Sequence, residues 1–396
     1  MSSAELFRIR VTLVQAWLRD RGYDGVLLTR HDNFSMATGG KRNYIYTMSE
    51  LGSNSLFITK EGKAFFVGNT IEKPRIMDEE LAGFDADVCD FLWFNESAGG
   101  AVSKKFTGSL VSDDGSLGKN VHEDLACIRA LLTEVELEKY RRLGRLAAEA
   151  MAATLDAIKP GTAEIDIAAT LVAEGRKRRC LVPVALVAAD DRIAKYRHPL
   201  PTEAPLLGTG LEEKAVRGYV MVVGCFHKEG LVVSMTRFKQ VGELPHGLSD
   251  TYARICAVDA VMQEATQPGQ TLGDVFAACQ WAYQEFGFPQ NEWHNHHQGG
   301  ATGYAGRTKK GTPGEPFPVG DTVWASRVSA ITGSRIAFGS AFAWNPSAVG
   351  VKSEDTFILT PEGTREIVTL TPSLPRVDLA SVLGRETDVV KSGISR

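Results

Sequence analysis

His294-Asn295-His296-His297-Gln298-Gly299-Gly300-Ala301-Thr302-Gly303-Tyr304 places three imidazoles within four positions and follows them at once with glycines. Histidine changes charge near neutral pH without help from its surroundings, and neighbouring glycines let backbone and ligand approach closely. Such a stretch reads either as a polar surface loop or as part of an active site. Two downstream segments carry matching polar residues, Trp344-Asn345-Pro346 and Lys352-Ser353-Glu354-Asp355-Thr356. Together the three stretches point to an active site built around the histidine loop.

Around this loop the periodicity predicts strands near 322–329, 338–344, 355–360 and 365–369, with residues 373–396 as a polar tail without strong pattern. Upstream, helices are expected at about 247–266 and 271–287, separated by Gln267-Pro268-Gly269. Val220 to Phe226 and Leu231 to Phe238 read as strands joined by a turn at Lys228-Glu229-Gly230. Thr133-Glu134-Val135-Glu136 has the spacing of a capping box. The helix it opens carries Leu137, Tyr140, Ala147, Met151 and Leu155 on one stripe, and Lys159-Pro160-Gly161-Thr162 stops it before a second helix at 163–177.

Nearer the start, a helix at 5–21 ends at Arg21-Gly22-Tyr23-Asp24-Gly25, and Val26-Leu27-Leu28-Thr29 reads as a strand. A hairpin pairs Ser55–Thr59 with Ala64–Val67, and Thr70 to Gly83 reads as an acidic surface helix. Between strand and hairpin, the segment His31 to Tyr44 reads as a loop. Its glycine pair, with Lys41 and Arg42 adjacent, is either a solvated turn or a cationic loop for an anionic ligand.

With 396 residues, two domains are the expectation: residues 1–125 as an α/β domain and 126–372 as a larger catalytic one. A net charge of -4 leaves no basic footprint for nucleic acid or anionic membrane. No apolar run approaches the roughly 18–20 residues of a membrane span. The stretch Met1-Ser2-Ser3-Ala4-Glu5 lacks the basic region and apolar core of a signal peptide, so a cytoplasmic protein is expected. The six cysteines form no CxxC and read as free, mostly buried small hydrophobes.

The order of these motifs resembles the pita-bread superfamily of methionine aminopeptidase, Xaa-Pro aminopeptidase, prolidase and creatinase. The landmarks are Ile158-Lys159-Pro160-Gly161-Thr162, His198-Pro199, Ser234-Met235-Thr236-Arg237, His297-Gln298-Gly299-Gly300, Asn345-Pro346 and Ser353-Glu354-Asp355-Thr356. The resemblance spans roughly residues 5–372 and implies an α+β chain: a C-terminal pita-bread domain with a smaller creatinase-type α/β domain before it. The peptidases of that group hold two divalent metals with two Asp, one His and two Glu. The resemblance sets those ligands at Val223, Ser234, His297, Asn345 and Glu354, so two of the five are kept.

Creatinase is the precedent for a member that hydrolyses a C–N bond without metal. The resemblance then implies His198 as the proton carrier and Glu354 as the residue that holds the substrate, with His297 beside them and no metal or other cofactor. Thr236 stands where creatinase has Glu, which removes a counter-ion for a guanidinium. Arg307 and Arg237 are candidate carboxylate clamps. His294, His296, Gln298, Asn345, Thr236 and Tyr304 are further candidates for substrate binding. Lys41 and Arg42 are placed like the creatinase loop that caps a neighbour's site, implying a homodimer. The expected function is metal-independent hydrolysis of a C–N bond in a small polar amino-acid-like or amidino or guanidino molecule. A metal-dependent Xaa-Pro peptidase and a non-catalytic binding protein are the alternatives.

Overall fold

The computed structural model describes residues 1–203, 212–321, 323, 324, 326, 327, 330 and 337–396. The chain divides into two compact units. The first contains Met1–Glu136, Glu229–Leu231 and Asp321–Phe338; the second contains Leu137–Lys228, Val232–Gly320 and Gly339–Arg396.

In the first unit, the helix Ser3–Arg21 opens on a capping box between Ser2 and Glu5 and closes on Gly22 in the left-handed conformation. A mixed sheet follows in the order Asp87–Phe91, Ala64–Asn69, Leu51–Thr59, Gly25–Arg30, Leu110–Ser112. The hairpin is present, with Leu56 opposite Phe66. Arg10 and Glu136, both fully buried, form an ion pair in which Arg10 Nε donates to Glu136 Oε1 at 2.9 Å. Removing one partner of such a pair costs about 3–5 kcal/mol, because the other charge is left buried alone.

Two expectations fail in this unit. His31–Thr38, read as a loop, is a helix with no side-chain cap, held by burial of Phe34, Met36 and Ala37. Thr70 to Gly83, read as one helix, is a short helical turn at Lys73–Arg75 running into a wider π-type turn at Ile76–Glu80.

The second unit carries the long helix Glu134–Ala157 for most of its length, and the helix Glu164–Lys177. Thr133, just before the long helix, makes the backbone half of that motif, its N–H donating to the Glu136 carboxylate at 2.8 Å, while its hydroxyl donates to the same carboxylate at 2.8 Å. Leu181–Ala189, Tyr219–Lys228 and Leu231–Gln240 make a three-stranded sheet. The first of these has no strand in the sequence reading, because Pro183 and the alanines at 185, 188 and 189 are poor strand formers. A second sheet runs Lys309–Lys310, Gly299–Thr302, Phe338–Trp344, Asp355–Leu359, Arg365–Ile367.

The helices Leu248–Ala265 and Leu272–Glu285 supply Ile255, Met262, Leu272 and Tyr283 to one core shared with Phe342, Trp344 and Phe357. Half of the strand expected at 322–329 lies outside the described residues, and the other half, Val323, Trp324, Ser326 and Arg327, is helical. Residues 373–396, expected as a polar tail, bury Leu374, Leu379, Val389 and Lys391 in this unit. Lys391 Nζ stands 2.6 Å from Asp259 and 2.8 Å from Asp355, both buried carboxylates.

Candidate active site

The histidine loop leaves a short helical turn at Glu292–Asn295 and enters the strand Gly299–Thr302. Two glycines are obligatory at that entrance. A Cβ on Gly299 would fall 2.2 Å from Ala343 O, and one on Gly300 would fall 2.1 Å from Lys309 O, so any side chain would push the flanking strands away. Gln298 fixes the loop from beneath. Its Nε2 donates to Trp293 O and His296 O at 2.8 Å, and its Oε1 accepts from Tyr283 Oη at 3.2 Å.

His198 lies just beyond the helix Asp191–Lys195 and is the most exposed of the three clustered histidines. The adjacent Arg197 donates from Nη2 to Glu292 Oε1 at 2.5 Å, tying the His198 segment to the start of the histidine loop. The result is a cluster in which His198 Nε2 and His296 Nε2 are 3.0 Å apart. His297 packs on both of these rings. Its centroid is 5.2 Å from that of His198 at 24°, and 4.5 Å from that of His296 at 27°. His294 stands apart, edge-on to Trp293 with centroids 3.8 Å apart.

A cavity of about 430 Å³ opens onto this cluster, lined among others by His198, His294, His296, His297, Trp293 and Lys310. All three clustered imidazoles are pushed toward the neutral form. Burial is the main cause for each; Lys352 adds to it at His198 and His296, and Arg307 at His297, which falls to about 3.

Glu354 is buried in the same unit. Its Oε1 accepts from Arg307 Nη2 at 2.9 Å and from Asn345 Nδ2 at 3.2 Å, and its Oε2 accepts from Thr236 Oγ1 at 2.7 Å. Lys352 Nζ, also buried, is 3.7 Å from Oε2. Burial alone would raise the Glu354 pKa, but Lys352, Arg307 and the hydrogen bonds from Thr236 and Asn345 outweigh it and hold the carboxyl at about 2. Several buried polar atoms here have no protein partner among the described residues: Nδ1 of His296 and of His297, Oδ1 of Asn345 and Nε of Arg307. Such atoms normally find water or a ligand.

The expected site residues therefore separate. His198, His296 and His297 come together, and His294 shares their cavity. Glu354, Asn345, Thr236 and Arg307 form one hydrogen-bonded group. Arg237, a candidate carboxylate clamp, is buried, and its N–H groups donate to Thr371, Thr236 O, Glu354 O, Asp355 and Thr369 O. Gln298 is likewise committed to the loop backbone, and Tyr304 is buried at 2% exposure. Arg42 donates from Nε to Glu80 at 2.7 Å and Lys41 lies over the Phe84 ring, both within the first unit.

Lys352, Lys310 and Trp293 are additions that the sequence reading lacks. Lys352 had a signal, since it sits two positions before Glu354 and so can share its side of an extended segment.

An α+β chain with this motif order and sheet arrangement is a peptidase fold with a preceding α/β domain. Residues 138–361 match the model of metallopeptidase family M24, and the chain belongs to that family. Among solved structures it is similar to the prolidase from Pyrococcus furiosus, with a TM-score of 0.64 at 15% identity over 90% of this chain and 99% of that one. It is similar to dipeptidase PepE from Mycobacterium ulcerans, with a TM-score of 0.67 at 17% identity over 93% and 97%. The N-terminal domain of FACT complex subunit SPT16 from chickpea (Cicer arietinum) also matches, with a TM-score of 0.59 at 11% identity over 96% and 99%. At these identities the likeness speaks for the fold. No curated protein matches the chain. Among the described residues, no helix is long and apolar enough to cross a membrane.

Proposed function

We propose that the chain is a hydrolase that cleaves a C–N bond in a small, polar, carboxylate-bearing molecule without the two-metal centre of its family. The observation that carries this reading is the environment of Glu354. Two divalent ions need several carboxylates to offset their charge. Of the positions that the resemblance assigns to metal ligands, Val223 is packed in the hydrophobic core and Ser234 Oγ lies against Cys225 Sγ at 3.2 Å. Asn345 is neutral and donates to Glu354, whose charge is already met by Arg307 and Lys352. The donor set does not fit two hard cations.

The same environment argues for the substrate class. Glu354 is saturated by cations and hydrogen bonds, which leaves little for a guanidinium to pair with. Lys310 is an exposed cation on the cavity wall with no ion pair among the described residues, and it suits a carboxylate.

In the chemistry proposed, His198 takes a proton from a water molecule as the oxygen adds to the substrate carbonyl. It returns that proton to the nitrogen as the C–N bond breaks. His296, 3.0 Å away, shares one proton with His198 and orients its ring. Glu354 keeps Arg307 in place beside His297.

The test is a screen of small amides, dipeptides and amidino acids with chelator present. Turnover that survives chelation and is lost in His198→Ala supports the reading. Turnover that needs added Mn²⁺ or Co²⁺ and persists in His198→Ala supports a metal-dependent Xaa-Pro peptidase instead, the reading that the family match favours.

A further inference from the structure

We propose that His198, His296 and His297 form a binding site for one transition-metal ion of the Zn²⁺, Cu²⁺ or Co²⁺ type, and that an ion bound there switches the enzyme off. The site goes beyond the reading above; only the inhibitory consequence rests on it.

The geometry comes first. One ring nitrogen from each of the three residues can be chosen so that all lie within 4.8 Å of one another. Around a tetrahedral zinc with Zn–N bonds of about 2.0–2.1 Å, ligand nitrogens stand roughly 3.3 Å apart. The His198 and His296 nitrogens, at 3.0 Å, are already near that spacing. A rotation of the exposed His198 or of the half-buried His297 brings in the rest.

A hydrogen bond between His198 and His296 would account for their 3.0 Å contact on its own. It would not account for a third imidazole packed on both rings, nor for the buried Nδ1 of His297, which has no partner among the described residues. The two loop ligands are consecutive and are held by Gln298 and by the glycine-dependent approach of the strands. Arg197 and Glu292 hold the third against them.

The donor set selects the ion. Imidazole nitrogens suit Zn²⁺, Cu²⁺, Ni²⁺ and Co²⁺, whereas Mg²⁺ and Ca²⁺ require oxygen ligands. Among the described residues, no carboxylate belongs to the cluster. Three protein ligands leave a fourth position facing the cavity. Bound to the ion through Nε2, a neutral His198 carries its one proton on Nδ1 and has no lone pair left to take a proton from water, so an occupied site does not hydrolyse.

Binding is read without activity, by following the visible absorption of Co²⁺ and the heat of Zn²⁺ addition on the chelator-treated full chain. The expected result is one ion per chain, competition of Zn²⁺ against Co²⁺, and no response to Mg²⁺. His296→Ala and His297→Gln should each abolish the stoichiometric step, while His294→Ala, in the same cavity, retains it. Zn²⁺ should also raise the unfolding temperature of the wild type and not of His297→Gln, which separates loss of a ligand from loss of the fold. No saturable binding in the wild type, or binding unchanged in the His296 and His297 variants, overturns the site. Stoichiometric Zn²⁺ that raises turnover leaves the site standing and overturns both its inhibitory role and the metal-free reading.

Discussion

Arg307 Nη2 donates to Glu354 Oε1 at 2.9 Å, an ion pair to a fully buried carboxylate. A guanidinium and the Lys352 ammonium together supply the positive charge against which the carboxylate is buried. The consequence for stability is direct. Arg307→Ala leaves Glu354 with Lys352 alone and should lower unfolding stability by about 1–3 kcal/mol, less than for a fully isolated charge. Chemical denaturation measures it, and an unchanged midpoint would mean that the pair contributes nothing.

His198→Ala should reduce turnover by roughly 10²–10⁴-fold if His198 carries the proton. His294→Ala, whose ring packs on Trp293 outside the cluster, should change it by much less. Steady-state kinetics of the two variants side by side make the comparison. Equal losses would remove His198 from its proposed role.

Arg197 and Glu292 meet at 2.5 Å across segments far apart in sequence, and they hold His198 opposite His296. Arg197→Ala and Glu292→Gln should each lower kcat by about tenfold, and the double variant should be little worse than either single one, because both remove the same contact. Additive losses would show that the two residues act separately.

Asp355 gives a pH dependence. Burial would raise its pKa, but Arg237 and Lys391 hold it at about 2 against an ordinary value of 3.8. A carboxyl depressed on folding adds stability that is complete above the unfolded value and is lost as pH falls through the folded one. Unfolding stability should therefore decline between about pH 4 and pH 2, by on the order of 2 kcal/mol from this group. Asp355→Asn should flatten that part of the profile. A profile of the same slope in the variant would assign the acid sensitivity elsewhere.

The elements legible in the sequence were those with strong local signals. The hairpin at 55–67 has alternating apolar residues around a turn, and Thr133 has its Glu136. The helix His31–Thr38 was not legible, because it has no capping side chain and depends on burial by the rest of its unit. The strand Leu181–Ala189 is hidden by a proline and by alanines that a sheet accepts only when pairing decides the matter. In the site, motif order points to His198, His297 and Glu354, of which the two histidines lie in one cluster. The protein partners of Arg237 are not legible, because an arginine beside a pocket motif looks the same in sequence whether it meets protein carbonyls or a substrate. The contacts His198–His296 and Arg197–Glu292 are long-range pairings that no local pattern announces.

The most direct measurement is metal content set against turnover. Chain purified and treated with chelator should hold no pair of divalent ions and should still hydrolyse its substrate, with activity abolished by His198→Ala. Two Mn²⁺ or Co²⁺ ions retained per chain, required for turnover and lost in Glu354→Gln, would contradict the account.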